Sequence, residues 1–571
     1  MTINFLFKSI KQIDKNLLYW FFLITWLLLN LLQAGLSQLH YDEAYYWIYS
    51  KHLAWGYFDH PPMVALLVKA GYAIFQSEIG VRLFFVLMGT LTLAMVCYLI
   101  NETEKLFFLF LFLISIPLFH LHVCGFLAIP DTPLVFFATL FFVLYREHLR
   151  KDTYLIAVSL GLVAAAMLYS KYHGILVIFF TILSNLKLLK NKKTWLAALI
   201  IVLAMVPHLW WQYVNQFPTL NFQLMDRFRQ VSFHEPFVFM LGQLALPGFF
   251  SGVILAFLTI VYKPVDAFEK TLKWNIFGII LFFFFFGFKV GVEIHWTAAA
   301  FPPLAYISFK SLRNREKIIR WFKPLAIIGI FFIFLLRLLI ANDYLANKLK
   351  INTSFNNWKE FSISVEKIAK GRDVVFNSSY KRPSEYSFYS RKPSVSIATL
   401  GYRYSQFDFE NYDEYFIHKN IVLVGTENKA DSSFKDESFK IVTYQNVPNF
   451  MTFEHIEIFP EYKQIIGIAG DSIKMKVGLK NVSDRNMIFD ENQNFIPKFG
   501  YTINRENFKY ESFKPLQEIA NRKVLLKNEM VYSTINISFP KDKGKYELRY
   551  AIIYGKDFRG KVSNGIKLVA E

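Results

Sequence analysis

Cysteine is nearly absent. The 571 residues contain two, Cys97 and Cys124, each within or at the end of an apolar run. Their spacing excludes a disulfide framework and a cysteine zinc site and leaves both as small hydrophobes in helices. Charge is also scarce, at 19% of residues against 54% hydrophobic and 18% aromatic, which departs from ordinary globular usage in both directions. The chain has no G-x-G-x-x-G fingerprint, phosphate-binding P-loop, G-x-S-x-G elbow or H-E-x-x-H. Nucleotide-sugar chemistry in a soluble domain is left without support, so a substrate arriving through a membrane is favoured.

What the chain does have is long apolar runs, confined to the first 341 residues. A helix needs about 20 such residues to cross a hydrocarbon core about 30 Å thick. Reading the runs in order predicts about eleven spans, near 17–36, 81–100, 106–124, 134–145, 153–169, 175–186, 194–211, 237–261, 274–288, 297–309 and 325–341. The first run is too long for a signal-peptide core and lacks a small-residue cleavage site, so it reads as a retained span. The net charge of +19 does not require nucleic acid as a partner. One alternating set of loops, including "REHLRKD", "KLLKNKK" and "FKSLRNREKIIRWFKP", holds about twenty Lys and Arg against about five in the other, and the positive-inside rule makes the first set cytoplasmic. The unusual polar segments and the tail then all fall on the other side.

Each of these segments has a plain reading beside a chemical one. In "HYDEAYYWIYSKHLAWGYFDHPPM", Asp42 and Glu43 open a helix expected to lie on the membrane surface, with Tyr41, Tyr45, Ile48, His52 and Trp55 facing lipid. Plainly read, the acids complement the helix dipole; but a carboxylate pair against lipid is costly to dehydrate, and one Asp would cap as well. Asp59 and His60 precede two prolines that stiffen the chain. They make either a polar turn or a carboxylate–imidazole pair that can hold a divalent cation or a phosphate. Asp131, in "AIPDTP", is either turn punctuation or an acid that needs a partner near the membrane boundary. Lys171 and His173, in "YSKYHG", end a span, where lysines commonly snorkel. Arg227 and Arg229, with Lys289 and His295 of "KVGVEIHW", which also holds Glu293, place cations against the topology bias. A phosphate leaving group gathers negative charge in the transition state and needs such cations.

From about 342 the composition changes. Residues 342–450 read as a small α/β unit. From about 451 apolar and polar residues alternate between turn residues, which predicts a β-sandwich-like domain.

The ordered set "DEAYYW", "YFDHPPM", "PDTP", "KYHG" and "HWTAAAFPPL" resembles the integral-membrane glycosyltransferases of the GT-C class. The bacterial branch is the nearer one, related to dolichyl-phosphate-mannose protein mannosyltransferases and lipid A aminoarabinose transferases. The resemblance covers about 1–341 and extends to "SSYKRPSEYSFYSRKPSVSIATLGYRYSQFDF" in the tail. It implies a GT-C membrane domain that transfers a sugar from a polyprenyl-phosphate donor, with inversion, on the extracytoplasmic face of a bacterial inner membrane. The acceptor would be lipid A, another lipid, a glycan or a protein. The family's first-loop aspartate matches Asp42, followed by Glu43; its acidic residue before Pro-Pro matches Asp59. Its next basic residue, lysine in several relatives, is His60 here. Asp131 matches the second acidic loop, and Lys171 through Gly174 the lysine–glycine turn with two residues inserted. The expected site has Asp42, Glu43 and Asp131 as catalytic residues. Donor phosphate would be bound by His60, Lys171, His173, Arg227, Arg229, Lys289 and His295, with Asp59 and His60 as candidate ligands of a divalent ion. A lipid-linked oligosaccharide ligase or polymerase is the alternative, and a transporter a more distant one.

Overall fold

The computed structural model describes residues 14–222, 233–351, 353–397, 405–425, 432–435, 441–489, 496–504, 513–515, 523–553, 563 and 565–571. The chain divides into two compact units, Met1–Asn356 and Asn357–Glu571.

The first unit is helical. Four helices are long and apolar enough to cross a membrane alone: Lys15–Leu36, Glu78–Ile100, Lys192–Val214 and Glu316–Ala341. The other expected spans are shorter helices, are broken, or lie in the 20-residue helices Asp131–Arg150 and Ala267–Phe286, whose charged ends make them less apolar. The run 106–124 is a helix at Leu106–Ile114 and, after Ser115–Leu118, a π-helical turn at Phe119–Val123; Pro117 cannot supply the backbone donor a continuous helix needs. The run 237–261 is interrupted between His234–Ala245 and Gly252–Val261, around Pro247 and Gly248.

Helix starts follow capping chemistry. Asp14, Thr153, Asn191 and Asp266 each accept a backbone N–H of their own first turn, satisfying donors that have no partner within the helix. The loops expected to carry the cytoplasmic basic excess meet one another. Lys105 bonds the Arg313 carbonyl at 2.8 Å, Arg313 pairs with Glu102 at 3.3 Å and Lys310 with Glu269 at 3.0 Å. Between this end and the opposite one lies a core that includes Phe112, Leu113, Phe119, Phe142, Phe309 and Phe322. A Cβ at Gly89 would lie 2.8 Å from the Cα of Cys124, so glycine at that position lets the chain just after the π-helical turn press against helix 78–100.

Residues 342–356, expected to begin the soluble part, pack with the first unit. Phe355 shares a cluster with Ala34, Val86, Phe126 and Ile340, and its ring is 5.2 Å from that of His40.

The second unit begins with a five-stranded sheet in the order 394–396, 373–376, 421–424, 441–447 and 432–435. Its first three strands are parallel and its last two antiparallel. Phe361, Val365 and Tyr386, from helices Trp358–Ala369 and Lys381–Ser390, cover Val374, Phe376, Val422 and Val424. Helices thus cover one mixed sheet in this part of the chain. Among the described residues, beyond it come one three-stranded sheet (530–538, 472–481, 456–460), one five-stranded sheet (514–515, 498–504, 544–553, 566–570, 464–467) and one two-stranded sheet (524–525, 487–488). In strand 530–538, Ile535 and Ile537 are buried while Thr534, Asn536 and Ser538 are exposed, the period-two pattern of a strand with one face covered.

Candidate active site

The first-loop helix, Tyr41–Lys51, starts with a capping box. His40 Nδ1 accepts the Asp42 N–H at 3.3 Å, and Glu43 Oε2 accepts the His40 N–H at 2.8 Å. The two acids then part company. Asp42, its side chain 31% exposed, lies 3.5 Å from the His40 ring. Glu43 is fully buried: Arg82 holds both its oxygens at 2.8 and 2.5 Å, and the Ala128 N–H adds a further bond of 2.8 Å. That carboxylate has no face left for a substrate.

The aromatic stripe expected to face lipid instead points inward in part, which corrects the surface-helix expectation. Tyr45 and Ile48 are 1% and 3% exposed, whereas Trp55 is 56% exposed. The reason is polar: the Tyr49 hydroxyl must reach buried Asp59, which it does at 2.5 Å, and its ring stacks on Tyr57 at 4.3 Å. Tyr46 Oη lies 3.3 Å from His60 Nε2. Asp59 is thus held by a tyrosine ladder, with His60 beside it and partly exposed.

Asp131 opens helix Asp131–Arg150, ahead of the apolar run it leads into, and is 3% exposed. Lys171 Nζ donates to both its oxygens, at 2.8 and 2.9 Å. His295 Nε2 lies 3.9 Å away, and the rings of His295 and His122 are 4.7 Å apart. Burial alone would raise the Asp131 carboxyl pKa, but Lys171, His295 and His122 together hold it well below the usual carboxylate range. His173 packs against Trp296, rings 4.9 Å apart, within electrostatic reach of Lys171, Asp131, His295 and His60. His122 is likewise within reach of His40, and Asp59 of Tyr172. The Nδ1 atoms of His122 and His173 are buried without a hydrogen-bond partner. On the Asp42 side the charge is different. Burial, then Asp42, and also Glu293 raise the Tyr41 hydroxyl pKa.

Most of the expected residues are therefore placed. Lys171, His173 and His295 gather around Asp131, with His60 nearby. Lys289 is exposed and takes no part in these contacts. Arg227 and Arg229 lie outside the described residues. His122, His40 and Arg82 were not expected. The signal for them was present: each is an ionisable side chain in or beside an apolar run, where its cost demands a partner.

A second candidate for a metal stands beside the expected pair, Asp59 and His60. Among the described residues, a group of three whose donor atoms all lie within 4.8 Å of one another is His122, Asp131 and His295. Two imidazoles and a carboxylate suit a divalent transition ion, and the orphaned His122 Nδ1 fits a missing electrophile. Lys171 on both Asp131 oxygens is its competitor.

Residues 59–211 match the family model for dolichyl-phosphate-mannose-protein mannosyltransferase, a segment containing Asp59, His60, His122, Asp131, Lys171 and His173. Two crystal structures of ArnT from Cupriavidus metallidurans, one apo and one bound to undecaprenyl phosphate, each superpose with a TM-score of 0.54 at 13% identity, covering 74% of this chain and 97% of theirs. The chain has the ArnT fold. At that identity the likeness to ArnT is one of fold, and no curated protein matches the chain. The resemblance read from the motifs is borne out, in sequence over 59–211 and in architecture over the ArnT-like part.

Proposed function

We propose that the protein is a membrane glycosyltransferase that moves one sugar from a polyprenyl-phosphate carrier to an acceptor outside the cytoplasm, with inversion at the sugar carbon. The observation that carries this reading is the Asp131–Lys171 pair ringed by His122, His173 and His295. It gathers one ammonium and three imidazoles, N–H donors of the kind a departing phosphate needs. The undecaprenyl phosphate found in one ArnT structure supports the choice of carrier, and the positive-inside asymmetry supports an outward-facing site in a bacterial inner membrane.

Asp42 is the base. It takes the proton from the acceptor hydroxyl, the acceptor oxygen bonds to the anomeric carbon, and the carbon–oxygen bond to phosphate breaks with its electron pair leaving on the phosphate. Lys171, His60, His122, His173 and His295 donate to that phosphate, and the same role is proposed for Arg227 and Arg229. Asp131 fixes Lys171 and the imidazoles of His122 and His295, Asp59 fixes the turn bearing His60, and Glu43 positions the helix bearing Asp42. A divalent ion at His122, Asp131 and His295 would supply Lewis-acid stabilisation of the same phosphate.

The test is mass spectrometry of envelope lipids, glycans and proteins from cells with and without the chain. It is followed by release of undecaprenyl phosphate from extracted lipid-linked sugars by the purified protein in lipid discs. One added sugar mass on an envelope component supports the reading. An added block of sugars would assign oligosaccharide transfer instead, and no covalent change would reject both.

A further inference from the structure

Arg337 lies near the end of the last long helix, 2% exposed, and every group it bonds is uncharged. Its Nη2 donates to Asn30 Oδ1 at 2.9 Å, its Nε to Gln33 Oε1 at 3.3 Å and its Nη1 to the His120 carbonyl at 3.4 Å. A buried guanidinium without a carboxylate partner among the described residues is a standing cost that an apolar side chain would avoid. Its bonds lead to both arms of the site.

One path runs through the loop that carries Asp131. His120 is two residues before His122, and the Trp26 ring packs against its ring at 4.4 Å, tilted by 57°, while bonding the Cys124 carbonyl at 2.9 Å. Phe126, further along the same loop, has the Arg337 guanidinium 5.6 Å from its ring centre and that of Arg82 at 5.2 Å. The other path runs through the first long helix. Gln33 Nε2 donates to Ser37 Oγ at 2.7 Å, and the Ser37 carbonyl accepts from Arg82 at 2.7 Å. Arg82 grips Glu43, which caps the helix bearing Asp42.

We propose that Arg337 is a positioning residue: it holds the loop bearing His122 and Asp131 in register with the helix bearing Asp42, so that base and phosphate-binding wall meet one substrate. This rests on the function proposed above. Its three donors lie in one planar fork, which lysine cannot reproduce, and a misplacement of about 1 Å can cost 10²-fold in rate.

The experiment uses the full chain in lipid discs, with undecaprenyl phosphate as the binding probe and its release from extracted lipid-linked sugars, per binding site, as the rate. Arg337→Lys and Arg337→Gln should each bind the probe within threefold of wild type and release it at least tenfold more slowly. Ser37→Ala, which breaks the relay at a hydroxyl, should slow release in the same direction. Adding it to Arg337→Gln should then cause no further loss, because both cut one path. A wild-type rate per site in Arg337→Lys, or losses that multiply in the double variant, would overturn the inference. Should Arg337→Gln not fold, Arg337→Lys and Ser37→Ala decide. Failure of the wild-type chain itself to bind undecaprenyl phosphate would instead sink the proposed function.

Discussion

Asp42 and Asp131 carry the same chemical group and are set to different tasks by their surroundings. Asp131, its side chain 4% exposed, has both oxygens taken by Lys171, whereas Asp42 keeps 31% of its side chain open beside His40. A base must be reachable by the proton it accepts. Asp42→Asn should therefore lower release of undecaprenyl phosphate by about 10²–10⁴-fold, the usual contribution of a positioned base, and leave binding of that lipid unchanged. Retained turnover in purified Asp42→Asn would remove the assignment. A second prediction concerns a bound ion. Elemental analysis of the purified protein should find a divalent metal that is lost in His122→Ala and His295→Ala and kept in His60→Ala, because the donor atoms converge at the first two. Loss in His60→Ala alone would return the site to the Asp59 turn.

At the scale of elements, the first-loop helix is fastened by one buried ion pair. Arg82 and Glu43 are both fully buried, and Arg82 also bonds the carbonyls of Ala34, Ser37 and Gln38 at 2.9, 2.7 and 2.7 Å. Removing one partner of such a pair leaves an uncompensated buried charge, at a cost of about 3–5 kcal/mol. Arg82→Met should lower the unfolding temperature in detergent sharply, while replacing both partners (Arg82→Met with Glu43→Gln) should recover part of the loss. Equal destabilisation by single and double variants would mean that packing, rather than charge, carries the contact. This helix also shows how much of the site was legible. Its acids, its capping pattern and its aromatic period could be read directly. The side facing protein could not, because a stripe of Tyr, Ile and Trp suits lipid and a protein interior equally well. The tyrosine ladder to Asp59 chose the interior.

At the scale of the whole molecule, the scarcity of cysteine becomes a tool. Cys97 and Cys124 are both buried, so a single introduced thiol can report its side of the membrane without background. His52→Cys and Lys190→Cys lie at exposed positions on loops assigned to opposite sides. A membrane-impermeant thiol reagent added to intact bacterial spheroplasts should label the first and spare the second until the membrane is opened. The reverse pattern would put the site in the cytosol and remove the lipid-carrier reading. The same scale shows where span counting stopped. Apolar runs fix that the chain enters the membrane, but Pro117 and the Pro247–Gly248 turn break two of them, and hydropathy averaged over a run does not register one missing backbone donor.

The sequence alone determined the membrane character, the uneven distribution of basic residues between alternate loops, a sheet-rich tail, and the chemical inventory of Asp42, Asp59, Asp131, Lys171 and His295. All of these depend on composition and on residues near one another along the chain. Only the tertiary structure decided that Glu43 is spent on Arg82, that His122 joins Asp131, and that Arg337 ties the last long helix to the first. Those pairings run from nine residues apart to 307, and whether a buried charge finds its partner is settled by packing in three dimensions.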